Sequence, residues 1–204
     1  MGAVTVSRLY GAGGRGVAPA LAERLGYRFV DREIVEEAAR RIGLDPKIAA
    51  ERDERVPGIV DELGLALARG MPEFAMSSVA IGDRDLADAT RAVIVSLADA
   101  GGYVILGRGG QAALRGRRDV CHISLVGERA DRARRVAASQ GIDEREAAGR
   151  RDHVDGERAA YVRRFYGVDI HDPLLYDCTL NTSLLGIDGA VEVAAAACRA
   201  KLEP

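Results

Sequence analysis

Short apolar runs alternate with helical patterns of apolar positions over most of the chain. Five runs rich in β-branched or aromatic residues predict strands, at residues 4–6, 27–30, 103–106, 120–126 and 178–180. Apolar positions at helical spacing predict helices at residues 17–25, 86–100, 129–139, 143–166 and 187–202. Strands that alternate with helices are typical of a parallel sheet. We therefore predict an α/β fold, with a parallel five-stranded sheet and helices on both faces, in a single domain of residues 1–204.

The interval from residue 33 to residue 88 has a different character. It is helical in pattern, rich in charge and punctuated by three prolines, and it contains no clear strand. We predict that residues 32–85 form a helical insertion into the domain. Two interpretations of this insertion stay open, a solvated cap and a flap that binds the substrate.

Charge and composition exclude several classes of protein. A chain of 204 residues buries about 70% of its unfolded surface and needs no disulfide or metal to hold its core. Its net charge of −2 provides no general basic field for nucleic acid. Its three cysteines and three histidines show no zinc spacing, and no apolar run reaches the roughly 18 residues of a membrane span. We expect a soluble, cytoplasmic protein with neither nucleic acid nor membrane as a partner, and its oligomeric state stays open.

A glycine-rich loop separates the first predicted strand from the first helix. It comprises Gly11, Ala12, Gly13, Gly14, Arg15 and Gly16. A strand, a glycine loop and a helix together direct backbone N–H groups and a helix N-terminus at a phosphate. The spacing G-x-G-x-x-G, with Asp31 at the end of the second strand, also fits a nicotinamide dinucleotide site. However, four residues separate the strand from the first glycine, and this longer loop favours a P-loop, which wraps around a phosphate. A glycine-rich turn that binds no ligand is the third interpretation.

The glycine loop of this chain lacks two residues of the usual P-loop pattern, the lysine and the Ser/Thr whose hydroxyl binds Mg²⁺. Of the 29 basic residues only Lys47 and Lys201 are lysines, so a fixed cation in this chain must almost always be an arginine. Arg15 is the candidate that would face the phosphates. No metal ligand can be identified from the sequence.

Five further arginines, at three places along the chain, stand at positions that suit an anionic ligand. Arg108 follows the third strand, where ligands of parallel sheets bind. Arg132 and Arg135 share one face of a predicted helix and could neutralise a transferred phosphoryl group. Arg151 and Arg158 flank Asp155 at helical spacing, and a carboxylate held in this way could accept from the exocyclic amine of cytosine. For each group a solvated, salt-bridged surface is the alternative.

Together these residues resemble the bacterial cytidylate kinase-like family, a branch of the P-loop nucleoside monophosphate kinases. The resemblance is carried by the segments at residues 4–15, 27–33, 104–108, 166–169, 172–177 and 181–182. It implies transfer of the γ-phosphoryl group of ATP to CMP or dCMP, with Mg²⁺.

The resemblance also implies roles for individual residues. The loop from Gly11 to Arg15 would hold the ATP phosphates, and the segment around Asp31 would face the acceptor. Arg108 would hold the acceptor phosphate. The acceptor nucleotide would be read by a set of three residues, Arg151, Asp155 and Arg158. Arg132 and Arg135 would belong to an arginine-rich lid at residues 129–165.

Three other functions stay open. A non-catalytic nucleotide-binding protein would fit the absent lysine, and a kinase for another small acceptor would fit an insertion without a substrate motif. A nicotinamide-dependent oxidoreductase requires a third strand soon after Asp31.

Overall fold

Five parallel strands form one sheet in the computed structural model, which describes residues 1–46 and 83–203. The strands are β1 (Ala3–Arg8), β2 (Arg28–Val30), β3 (Tyr103–Leu106), β4 (Val120–Val126) and β5 (Cys178–Asn181). Their order is β2-β3-β1-β4-β5, and each neighbouring pair is parallel. The predicted sheet is therefore confirmed.

Helices connect the strands as the sequence predicts, with two differences. The described helices are α1 (Gly14–Leu25), α2 (Glu33–Arg41), α3 (Asp83–Ala100), α4 (Gly110–Ala113), α5 (Arg129–Gln140), α6 (Glu144–Tyr166) and α7 (Thr182–Leu202). The one-turn helix α4 is too short to produce a periodic pattern. Helix α7 begins five residues before its predicted start, because the side chain of Asn181 caps it by accepting from the Ser183 N–H. Gly186 then interrupts the helical backbone, and the apolar pattern resumes only after it.

The core explains why the strands read as nearly continuous apolar runs. The central strands are buried on both faces, as parallel strands are. On one face Val4 and Val6 pack with Leu21 of α1 and Ala194 of α7. These helices place the β1–α1 loop at the carboxyl ends of the central strands. In the described ranges no helix is apolar enough over a sufficient length to span a membrane.

The strand order excludes the dinucleotide-binding alternative. In that fold the second strand lies beside the first, whereas here β3 lies between β1 and β2, with Val6 paired to Leu106. After β2 the chain enters α2 and not a third strand. The literal G-x-G-x-x-G spacing is therefore not a dinucleotide fingerprint in this chain.

The chain divides into two compact units, one of residues 1–31 and 94–204 and the other of residues 32–93. Within the second unit α2 is amphipathic, with Ile34 and Ala38 buried and with Glu37 paired to Arg41 on its exposed side. The predicted insertion at 32–85 falls largely on residues 47–82, which lie outside the described residues. Its role as an acceptor flap stays a prediction.

Helix α6 carries a glycine that the backbone does not require. Gly149 is exposed within the helix, and a Cβ added there would contact nothing within 4 Å. We expect Gly149→Ala to raise the free energy of unfolding by about 0.5–1 kcal/mol, because glycine loses more conformational entropy in a helix than alanine does. Denaturant unfolding measures the change, and an unchanged or lower stability would contradict it.

Candidate active site

The glycine loop occupies the space between the end of β1 at Arg8 and the start of α1 at Gly14. Gly11 and Gly13 have left-handed backbone conformations, with φ of 78° and 81°, which glycine adopts at no steric cost. Gly13 is the N-cap of α1. A helix leaves its first N–H groups without intrahelical partners, so they are available to an anion in front of the helix.

A buried ion pair holds the backbone of this loop. The Arg132 guanidinium of α5 donates to Asp155 Oδ2 of α6 at 2.6 Å and to the Tyr10 carbonyl at 2.9 Å. The Tyr10 N–H donates to the other carboxylate oxygen of Asp155 at 2.7 Å. The Arg132 side chain is only 4% exposed and that of Asp155 16%. Together they fix both polar groups of one peptide position in the loop.

Helix α5 fastens the loop at a second point. Arg135 donates to the Thr182 hydroxyl and to the Thr182 carbonyl, both at 2.8 Å, and its Nη1 lies 3.5 Å from the Gly11 carbonyl oxygen. A Cβ at Gly11 would overlap the carbonyl oxygen of Arg132. The loop and the start of α5 are therefore in direct backbone contact.

Arg108 lies at the end of β3 in a strained conformation. Its φ of 57° is the only positive value among the non-glycine residues that the structure describes, and such strain is typical of functional sites. The Tyr166 hydroxyl donates to the Arg108 carbonyl at 3.2 Å. The guanidinium lies 3.8 Å from Asp31 Oδ1. Two of the predicted acceptor residues are thus neighbours.

Arg8 was not among the predicted site residues, yet its guanidinium lies within this cluster. A Cβ added at Gly107, the residue before Arg108, would overlap Arg8 Nη1. Burial and the neighbouring Arg158 lower the pKa of Arg8 to about 9; Arg108 and Arg15 add to the effect, and Asp31 opposes it. The available signal in the sequence was an arginine at the end of a strand that leads into a glycine loop.

Arg158 connects α6 to the same end of β1. Its Nη1 donates to the Arg8 carbonyl at 3.0 Å, and its guanidinium lies 5.5 Å from the centre of the Tyr10 ring. Burial lowers its pKa, as it does for Arg8. Both residues therefore carry charge that the protein alone solvates poorly.

The remaining predicted residues are placed as follows. Arg151 is buried between α5 and α6, where it donates to the Arg129 carbonyl at 2.6 Å and to Asp152 at 2.8 Å. Arg15 is exposed in the first turn of α1. Their roles, like those of Asp155 and Arg132 in base reading and charge neutralisation, stay predictions.

Metal ligands are sparse around the loop. Over the ranges that the structure describes, no group of three or more His, Cys, Asp or Glu side chains could hold a metal ion. Asp31, the carboxylate of the cluster, faces Arg108. These residues do not fit a Mg²⁺ site built from the protein alone.

Comparison with known proteins assigns this arrangement to a family. The model of the cytidylate kinase-like family matches residues 3–184. The chain belongs to this family.

Individual relatives agree with this family. A cytidylate kinase of Methanoculleus marisnigri is 36% identical over 72 residues, which are 34% of this chain and 40% of that protein. The chain thus spans well under half the length of this curated relative.

Solved structures support the fold. An uncharacterized protein of Eubacterium ventriosum has a TM-score of 0.71 at 18% identity, over 97% of this chain and 98% of its own. A gluconokinase of Sinorhizobium meliloti has a TM-score of 0.54 at 15% identity, over 99% and 94%. The fold is that of the P-loop, nucleoside monophosphate kinase-like proteins, as the resemblance implied.

Proposed function

We propose that the protein transfers the γ-phosphoryl group of ATP to CMP or dCMP. The observation that carries the proposal is the convergence of Arg8, Arg108 and Arg158 beside the glycine loop, in a chain of the cytidylate kinase-like family. A nucleoside triphosphate and a nucleoside monophosphate bring four phosphate groups between them. A cluster in which arginines outnumber the neighbouring carboxylates, Asp31 and Asp155, suits such a pair.

The proposed reaction needs positioning and charge neutralisation but no covalent intermediate. The glycine loop and the first turn of α1, including Arg15, would bind the donor phosphates. Arg108 would hold the acceptor phosphate, and Asp31 beside it would orient the acceptor. Mg²⁺ would enter as part of the MgATP substrate, bound mainly by phosphate oxygens and water.

The contacts of Arg132 and Asp155 support a positioning role for this pair. Both are occupied by the backbone of Tyr10, so they set the shape of the loop before any nucleotide binds. Arg135 contributes from the same helix through Thr182. Recognition of cytosine by Asp155, with Arg151 and Arg158, is the further part of the proposal that acceptor specificity tests.

The test is an ADP-release assay with ATP and Mg²⁺, run separately with CMP, dCMP, UMP, AMP and GMP. We expect turnover with the cytidine nucleotides and little with the other three. Equal turnover with all five would contradict recognition of cytosine. No turnover with any of them would contradict the proposed kinase activity on nucleotides.

A second candidate function is nucleotide binding without transfer. It is favoured by the missing lysine of the loop and by the sparse metal ligands. It predicts that ATP raises the melting temperature while none of the five acceptors is phosphorylated. A kinase for a different small acceptor likewise predicts no ADP release with the five nucleotides, but it predicts ADP release with its own substrate.

A further inference from the structure

The boundaries of β1 and α1 fix the register of the glycine loop against the P-loop pattern. That pattern, G-x-x-x-x-G-K-[ST], begins at the end of a strand and places its lysine where the helix begins. Here β1 ends at Arg8, Gly13 is the N-cap and α1 begins at Gly14. Arg8 thus stands at the position of the first glycine, and Gly14 stands at the position of the lysine. Arg15, the predicted phosphate-facing cation, is one residue beyond it.

Gly14 is required by space and not by its backbone conformation. Its φ is not among the positive values, so an L-residue could adopt this backbone. A Cβ added there would lie 2.9 Å from Arg8 Cγ, 3.3 Å from its Cβ and 3.4 Å from its Cδ. The aliphatic stem of Arg8 therefore passes over the first residue of the helix and fills the place where a lysine side chain would start.

The far end of Arg8 reaches the residues that follow the neighbouring strand β3. Its guanidinium lies against Gly107, directly after β3, and β3 is the neighbour of β1 in the sheet. Gly107 has a φ of 78° and no side chain, which leaves room for the guanidinium. The charge of Arg8 thus lies at the carboxyl ends of the neighbouring strands β1 and β3.

The surroundings of this charge call for an anion. Burial disfavours the protonated form of Arg8 most, and the charges of Arg158, Arg108 and Arg15 act in the same direction, whereas Asp31 favours it. A guanidinium nevertheless stays protonated in proteins. The repulsion is therefore retained in the unliganded protein, and a bound phosphate chain would relieve it.

We infer that Arg8 replaces the P-loop lysine as the cation that binds the triphosphate of ATP, and that Gly14 is a glycine because the Arg8 side chain crosses it. The inference rests on the proposed use of ATP but not on the identity of the acceptor. Arg8 and Gly14 form one functional pair. The cation stands at the first position of the P-loop pattern and not at the seventh, where the lysine usually stands.

Calorimetric titration without any acceptor tests this pair, with ATP and inorganic tripolyphosphate as probes. We expect Arg8→Ala to weaken the binding of both ATP and tripolyphosphate by roughly 10- to 100-fold, because hydrogen bonds to a charged group usually contribute this much to affinity. Gly14→Ala should weaken binding in the same direction, because its Cβ displaces the Arg8 stem. Arg24→Ala, which removes an exposed arginine at the other end of α1, is the matched control and should bind as the wild type does.

The double variant Arg8→Gly/Gly14→Lys restores a conventional loop and separates this role from a structural one. It should bind ATP at least tenfold more tightly than Arg8→Gly alone. The unliganded melting temperature of Arg8→Ala should equal or exceed that of the wild type, since a repelled charge has been removed. Wild-type affinity for tripolyphosphate in Arg8→Ala would overturn the inference, as would a double variant that binds no better than Arg8→Gly.

These outcomes are distinct from those of the proposed function. Tripolyphosphate binding that depends on Arg8, in a wild type that phosphorylates no nucleotide, supports the inference and contradicts the kinase. Phosphorylation of CMP by a wild type whose ATP affinity survives Arg8→Ala supports the kinase and overturns the inference.

Discussion

Replacement of Asp155 by alanine is expected to lower the free energy of unfolding by about 3 kcal/mol, because it leaves the buried charge of Arg132 without its partner. The Tyr10 N–H loses its acceptor at the same time. The affinity for ATP should fall as well, since the glycine loop is no longer held in shape. Denaturant unfolding and ATP titration measure the two effects.

A matched control removes an exposed aspartate of the same fold. Asp99 pairs with Arg117, which keeps a second carboxylate partner in Asp119, so Asp99→Ala should change neither stability nor ATP binding appreciably. A change below about 0.5 kcal/mol in Asp155→Ala, the size typical of surface substitutions, would contradict the positioning role.

Asp155→Asn distinguishes holding the loop from reading the base. A positioning residue affects the KM for ATP with every acceptor alike. A residue that accepts from the amine of cytosine instead changes the preference between CMP and UMP. The ratio of kcat/KM values for these two acceptors therefore reports on base recognition alone.

Arg108→Ala should lower kcat/KM for CMP by roughly 10²- to 10³-fold, the range found when one preorganised donor to a developing charge is removed. The effect should appear mainly with the acceptor, because the proposal places Arg108 on the acceptor phosphate. Steady-state kinetics with CMP and ATP varied in turn separate the two substrates. Arg118, an exposed arginine in the turn before β4, provides the control, and Arg118→Ala should leave the kinetics unchanged.

The left-handed conformation of Arg108 allows a second comparison. Arg108→Gly removes the same charge but tolerates a φ of 57°, so it should be more stable than Arg108→Ala by about 1 kcal/mol. Both variants should be equally slow if the guanidinium is what matters. Wild-type rates in both would remove Arg108 from the acceptor site.

The sheet and most helices could be predicted because buried parallel strands appear as apolar runs, and the helices that cover them have apolar positions at helical spacing. The start of α7 could not, since it depends on one capping side chain at Asn181 and on the break at Gly186. These local contacts interrupt the apolar period that the prediction followed.

The candidate site was predictable only where a residue follows directly from its element. Arg108 stands at the end of a strand, and its position followed from the topology. Asp155 was assigned to the arginines of its own helix, whereas its observed partner is Arg132, 23 residues earlier on a neighbouring helix. Helical spacing describes one helix and contains no information about contacts between two.

Arg8 shows the same limit within a single loop. A motif compares residues position by position, but a side chain as long as that of arginine can cross Gly14, six residues along the chain, and place its charge against Gly107. The absent lysine was visible in the sequence, and the residue that fills its space was not.

The narrow gap between Gly14 and the Arg8 stem also constrains how such a loop can evolve. A lysine introduced at position 14 meets the arginine already present, and loss of Arg8 alone leaves the loop without either cation. A loop with lysine at position 14 and a loop with Arg8 and Gly14 can therefore interconvert only through an unfavourable single substitution, whichever position changes first. Among related sequences the two positions should change together, and a search pattern that demands the lysine will pass over every chain that has made the exchange.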